Sequence, residues 1–165
     1  MLSNNIVKFD DPRIISDLRY SSSSNIAGIP ISDIKKVQVA DSMVKLLRKV
    51  LEELELCNLK LVFWDAYRLE ATQKKLRKIN SNNNFVAEIS NHCKGLAVDV
   101  TLANKDNKYL DMGTDFDDFS IKARSDYEGL SKKQMKNRRE LKKVMEINGF
   151  SQDVYEWWHF NFIAI

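Results

Sequence analysis

The sequence predicts a mixed fold in which helices and short strands share one core, and three observations carry that expectation. From Gln38 to Leu56 the apolar residues recur at intervals of three and four, the period of a helix lying on a core. LKLVFW at 59–64 and LAVDVTL at 96–102 are short, β-favouring runs with the length of strands. The chain has 165 residues, 44% hydrophobic and 30% charged, enough for one domain with a real core and too few for two. One domain is therefore expected over 1–165.

Before residue 38 the polar tract SSSSN at 21–25, with Gly28 and Pro30, predicts an irregular opening arm. In the helix at 38–56, Val39, Met43, Leu46, Leu47, Val50, Leu51 and Leu54 form the stripe that faces the core. LKLVFW follows as a buried strand. EATQKKLRKIN then returns to helix formers, SNNN at 81–84 closes that helix, and FVAEIS at 85–90 is expected to be a brief extended piece. In LAVDVTL, Leu96, Val98, Val100 and Leu102 point one way and Ala97, Asp99 and Thr101 the other, so Asp99 faces a surface or a cleft. Residues 103–130, rich in Asp, Asn and Gly, predict a long and partly functional loop region. A helix resumes after Ser131 as N-cap, with Leu141, Val144 and Met145 on one side and Gly149 as its stop. YEWWHFNFIAI, aromatic and β-branched, is expected to be a strand inside the sheet.

The net charge of +3 is too close to balance to demand a nucleic acid or an anionic membrane as partner. The basic residues Lys132, Lys133, Lys136, Arg138, Arg139, Lys142 and Lys143 are expected to form a solvated helix face, not a nucleic-acid site. No run approaches the roughly 18 apolar residues of a membrane span, and MLSNNIVKFDDPR lacks the pattern of a secretory signal. A cytoplasmic location follows, with Cys57 and Cys93 reduced.

The chain has two histidines, both in chemically suggestive company. His92, in SNHCKGLAVDV, precedes Asp99 by seven residues, and His159 follows Glu156 by three. A catalytic zinc takes three protein ligands and keeps a fourth position open, so two imidazoles and one carboxylate would complete the set and leave Glu156 free. A free carboxylate beside a metal-activated water suits a hydrolase: zinc lowers the water pKa from ~15.7 to about 7, and the carboxylate takes the remaining proton. Cleavage of a peptide bond also develops an oxyanion that wants a fixed cation, and Arg68, in WDAYRLE just beyond a buried strand, is the candidate. Plainer readings fit the same residues. The His–Asp spacing arises by chance, EWWHF serves as an aromatic core strand, and Arg68 pairs with Asp65 as a buried ion pair. A regular strand would put positions 156 and 159 on opposite faces, so Glu156 must lie on a turn or bulge to reach the same metal.

SNHCKGLAVDVTL resembles the SxHxxGxAxD signature of the zinc D-alanyl-D-alanine peptidases, and YEWWHF resembles their ExWWH motif. DLRYSSSSNIAG at 17–28, WDAYR at 64–68, DMGTDFDDFS at 111–120 and NRRELKKVMEINGF at 137–150 resemble the dipeptidase branch, in its order and along the whole chain. The resemblance implies an α+β fold, with helices packed on a mostly antiparallel sheet that carries one zinc ion per chain. It implies His92, Asp99 and His159 as zinc ligands, Glu156 as general base and proton carrier, and Arg68 as stabiliser of the tetrahedral oxyanion. Asp117, in the MGxxFD block, would bind the substrate amino group, with Tyr20 and Ser90 at other substrate-pocket positions. The implied reaction is hydrolysis of the small-molecule dipeptide D-Ala-D-Ala.

The alternatives are a carboxypeptidase or endopeptidase acting on longer peptidoglycan peptides, and a binding or regulatory domain that has lost the reaction. Asp117 argues against the first, because an acidic group at the substrate amine penalises a chain that continues there. The second finds no support, because every expected zinc and catalytic position is occupied. Three departures stand out. Leu69 replaces a common proline, Cys93 stands where serine is common, and the segment from Arg68 to Ser90 is short, which predicts a more open pocket rim.

Overall fold

The computed structural model describes residues 5–82 and 85–163. The last two residues of the SNNN tract and of the C-terminal run lie outside the described residues. A five-stranded sheet forms the centre, in the order β2-β4-β5-β7-β6, from β2 (Ile14–Ser16), β4 (Leu59–Asp65), β5 (Ala97–Asn104), β6 (Phe150–Gln152) and β7 (His159–Phe162). Only β2 with β4 is parallel; the other pairs are antiparallel. A separate antiparallel ribbon joins β1 (Ile6–Lys8) to β3 (Gln38–Ala40). Helix α1 (Asp41–Leu56) packs on β4, and α3 (Lys132–Ile147) packs on β5, β6 and α1. The fold is α+β, as the sequence led us to expect.

The predicted stripe of α1 buries Met43, Leu47, Val50, Leu51 and Leu54, with Leu46 only partly covered. Its start is corrected: residues 38–40 are strand, not helix. Val39 lies four residues before Met43 and so keeps the helical period. The backbone there has other partners, because Tyr67 N donates to Gln38 O and Ala40 N to Gly95 O, both at 2.9 Å. Gly95 has φ +67°, and a Cβ on it would sit 2.8 Å from Ala40 N. This close approach of two backbones requires glycine. At α3, Ser131 and Gln134 form a reciprocal capping box, and Gly149 with φ +87° stops the helix.

Three further corrections concern short elements. The arm is not wholly irregular, since it contains β1, β2 and a 3-10 turn at Arg19–Ser21. Strand β6, directly after Gly149, was not foreseen. FVAEIS is not extended; it turns, with Phe85 N and Val86 N both donating to Asn82 O. Strand β5 is buried on both faces. Val98, Val100 and Leu102 belong to the main core, while the side carrying Asp99 lies beneath a cavity.

Candidate active site

This cavity, of about 210 Å³, opens over one side of the sheet, and all eight residues selected from the sequence line it: Tyr20, Arg68, Ser90, His92, Asp99, Asp117, Glu156 and His159. Registry makes this convergence possible. Asp99 on β5 stands opposite His159 on β7 and opposite Asp65 on β4 across a register shift. His92 arrives from a 3-10 turn, Asn91–Lys94, capped by Ser90, whose Oγ accepts from His92 N at 3.2 Å. Glu156 lies in the connection between β6 and β7, outside any strand. That is the turn which the parity of positions 156 and 159 demanded.

Among the described residues one group has the composition and proximity to hold a metal ion: His92, Asp99 and His159. His92 Nε2 lies 3.2 Å from His159 Nδ1 and 3.3 Å from Asp99 Oδ1, and His159 Nδ1 lies 2.9 Å from the same oxygen. The far ring nitrogens are also engaged. His92 Nδ1 is 2.7 Å from Ala66 O. A carbonyl can only accept, so in the neutral ring Nδ1 carries the hydrogen and Nε2 presents its lone pair to the cluster. His159 Nε2 is 3.3 Å from Asn161 Oδ1, which also accepts from Asn91 Nδ2 at 2.9 Å. Cys93 is not in the group, and burial pushes its thiol up from its ordinary value.

The charges are strongly coupled. Burial alone would raise Asp99, but the neighbouring imidazoles of His92 and His159 outweigh it and hold the carboxyl well below the usual range. Burial lowers His159, and the hydrogen bond and charge of Asp99 overcome this to place it at about 9. For Glu156 burial wins over the pull of His159 and pushes the carboxyl well above the ordinary value.

Arg68 forms the buried ion pair with Asp65 and also lines the cavity. It is 7% exposed and donates Nε and Nη2 to Asp65 Oδ2 at 2.8 and 2.7 Å, which is the buried ion pair. Its Nη1 donates to Gln73 Oε1 at 2.6 Å, and its guanidinium lies 4.9 Å from the centre of the Tyr20 ring. Its Nη2 also faces Asp99 Oδ2 at 3.7 Å, and the outer N–H groups of Nη1 and Nη2 make no hydrogen bond shorter than this among the described residues. In EWWHF, Trp157 and Trp158 are core residues, 0% and 1% exposed, while Glu156, His159 and one side of Trp158 line the cavity.

At the opposite side Asp117 Oδ1 accepts from Tyr20 OH at 3.0 Å and Oδ2 from Ile26 N at 2.9 Å. Burial raises its carboxyl to about 6, against the opposing hydrogen bonds from Ile26 and Tyr20. Its backbone is left-handed, φ +59°. The loop that carries it is clamped by Arg138, buried and donating to Met112 O at 2.7 Å, Lys122 O at 2.9 Å and Arg124 O at 3.1 Å. Arg138 therefore leaves the basic surface to which the sequence assigned it. Sequence reasoning also passed over Gln73, Asp153 and Asn161, all of which line the cavity. Asp153 Oδ1 accepts from Tyr155 N and Glu156 N at 2.7 and 3.2 Å. Uncharged amides carry no sequence signature, and Asp153 is legible only as a residue three before Glu156.

A sheet-borne cluster of two imidazoles and a carboxylate beside a free glutamate defines the class as a metallohydrolase scaffold. Comparison with known proteins makes the family definite. Residues 7–164 match the family described as D-ala-D-ala dipeptidase, and the chain belongs to it. It is 30% identical over 152 residues to the D-alanyl-D-alanine dipeptidase of Escherichia coli K12, covering 90% of this chain and 79% of that one. It is 25% identical over 171 residues to the Enterococcus faecalis enzyme of the same name, covering 89% and 85%. The fold is similar to the crystal structure of a mutant of the vancomycin-resistance D,D-pentapeptidase VanY in complex with Zn(II), with TM-score 0.52 and 14% identity over 78% of this chain and 75% of that one.

Proposed function

We propose that this protein is a zinc dipeptidase that hydrolyses D-alanyl-D-alanine to D-alanine, with His92, Asp99 and His159 as the metal ligands. The carrying observation is the spacing of their donor atoms, 2.9 to 3.3 Å apart. Donor atoms this close together would suit one small cation at the roughly 2.0–2.1 Å ligand distances of zinc, and His92, Asp99 and His159 would be the residues that hold it. The hydrogen bonds from the far ring nitrogens to Ala66 and Asn161 supply the outer support such ligands need. Bound zinc supplies Lewis acidity, polarising the scissile carbonyl and lowering the pKa of water to about 7.

The chain's own residues do the rest. Glu156 accepts a proton from the attacking water and returns it to the departing amine nitrogen. The outer N–H groups of Arg68 donate to the oxygen that gains negative charge, and the Asp65 ion pair holds the guanidinium still. Asp117, whose two oxygens each keep lone-pair capacity beyond their present bonds, accepts from the substrate ammonium. Tyr20 fixes the Asp117 carboxylate, and Ser90 fixes the turn that presents His92. A cavity of about 210 Å³ falls below the usual range for drug-sized ligands, ~300–1,000 Å³, which favours a very small substrate. A free dipeptide as substrate goes with one functional domain over 1–165 acting in the cytoplasm, with no nucleic-acid or membrane partner. Among the described residues no helix is long and apolar enough to cross a membrane.

The test is release of D-Ala by zinc-loaded protein from D-Ala-D-Ala and from its N-acylated analogue. The expected result is at least a hundredfold preference for the free dipeptide, on the order of the loss from one unpaired buried charge. Equal rates would move the reading to a carboxypeptidase or endopeptidase, and no release from either would defeat it.

A further inference from the structure

Gln73 on α2 (Glu70–Ile79) is 4% exposed and spends both ends of its amide. Its Oε1 accepts from Arg68 Nη1, and its Nε2 donates to Ala87 O, each at 2.6 Å. Ala87 lies in the turn that supplies Phe85, Val86 and Ile89 to the cavity wall. Ile89 is 78% exposed at that rim, whereas Val86 is buried in the core and Phe85 packs on Phe119 and Tyr155, so packing anchors the start of the segment and leaves its Ile89 end uncovered. Arg77 also holds this segment, through Val86 O at 2.7 Å, but it lies one turn further along α2 from Arg68. Gln73 is thus the residue that joins the rim to the guanidinium.

We propose that Gln73 is a positioning residue that fixes the Arg68 guanidinium against the substrate carbonyl and ties the apolar rim of the pocket to it, so that rim position and charge stabilisation are set together. This rests on the role assigned to Arg68 above. The planar guanidinium is held at one edge by Asp65, whose contacts converge on one oxygen, Oδ2, and at the other by Gln73; the Tyr20 ring lies against its face and Asp99 Oδ2 stands 3.7 Å from Nη2, so Gln73 is the hydrogen bond that fixes the position of Nη1 within the plane. A displacement of about 1 Å at such a group costs on the order of 100-fold in rate.

The experiment is a double-mutant cycle on zinc-loaded enzyme with D-Ala-D-Ala, using Gln73→Met and Arg68→Ala. Gln73→Met removes both hydrogen bonds while keeping the side-chain length, and should lower kcat about 10- to 100-fold. Arg68→Ala should lower kcat about 100- to 1,000-fold. In the Arg68→Ala background the further effect of Gln73→Met on kcat should shrink to less than about threefold. Gln73→Glu keeps the acceptor for Arg68 and loses the donor to Ala87, so it should raise KM about tenfold and lower kcat less than Gln73→Met does. It also keeps the question decidable if Gln73→Met fails to fold. Equal kcat losses from Gln73→Met in both backgrounds, or a Gln73→Glu kcat as low as that of Gln73→Met, would overturn the link and leave the role of Arg68 standing. Undiminished kcat in Arg68→Ala would remove that role and the proposal together.

Discussion

Replacing Asp117 by Asn should stabilise the protein while weakening its grip on substrate, and the two effects can be sized separately. Burial raises the Asp117 carboxyl from 3.8 to about 6, so the folded state binds its proton more tightly than the unfolded chain does. Stability from this group is therefore fully present below pH 3.8 and is lost as pH rises to about 6. At about 1.4 kcal/mol per pH unit, the interval corresponds to about 3 kcal/mol. Access of cavity water to the carboxyl reduces this to about 1–2 kcal/mol. Asn meets the remaining requirements. Its oxygen can accept from Ile26 N, its amide can donate to the Tyr20 hydroxyl, and the left-handed backbone at φ +59° suits Asn well. Urea unfolding of both proteins, with chelator present throughout so that metal binding adds no pH dependence, should give equal stabilities near pH ~3.5. The variant should gain about 1–2 kcal/mol by about pH 8. The zinc-loaded variant should show KM raised at least tenfold, and wild-type KM should rise as pH falls through about 6. An Asp117→Asn variant no more stable than wild type in mildly alkaline buffer would refute burial as the origin of the raised carboxyl.

Two further outcomes follow from the site. Glu156→Ala should lower kcat about 100- to 10,000-fold while leaving one zinc per chain by metal analysis; loss of metal together with turnover would make Glu156 a ligand. Leu69→Pro should raise Tm by about 1–4 °C with kcat unchanged, because Leu69 already has φ −64°, the value proline fixes, and such exchanges gain about 0.4–1 kcal/mol. A lower Tm would mean that Arg68, the residue before it, cannot take the extended backbone that proline demands.

The site was more legible than the short elements of the fold. The proposed metal ligands, base and guanidinium belong to residue types whose chemistry limits them to few roles, and two histidines leave little choice of partner. The strand bearing Asp99 announced itself by alternation. By contrast, β1, β2 and β6 have three residues each, fewer than are needed to establish a period of two, and Val39 satisfies a helical period while standing in β3. Arg138 read as one more cation on a basic helix. Its burial depends on carbonyls of the 112–124 segment, which no local pattern reports. Gln73 and Asn161 are invisible for a related reason, since an amide gains its function only from the two groups it meets.

The place of β7 between β5 and β6 has a consequence for assembly. β7 pairs with β5 on one side and β6 on the other, and its pairing with β5 is what brings His159 opposite Asp99. A partly folded chain lacking this pairing holds at most His92 and Asp99 near each other, an incomplete claw. Separation of β7 from β5 would therefore carry one of the three proposed ligands away from the other two, so opening of this edge of the sheet and loss of a metal held there should be coupled.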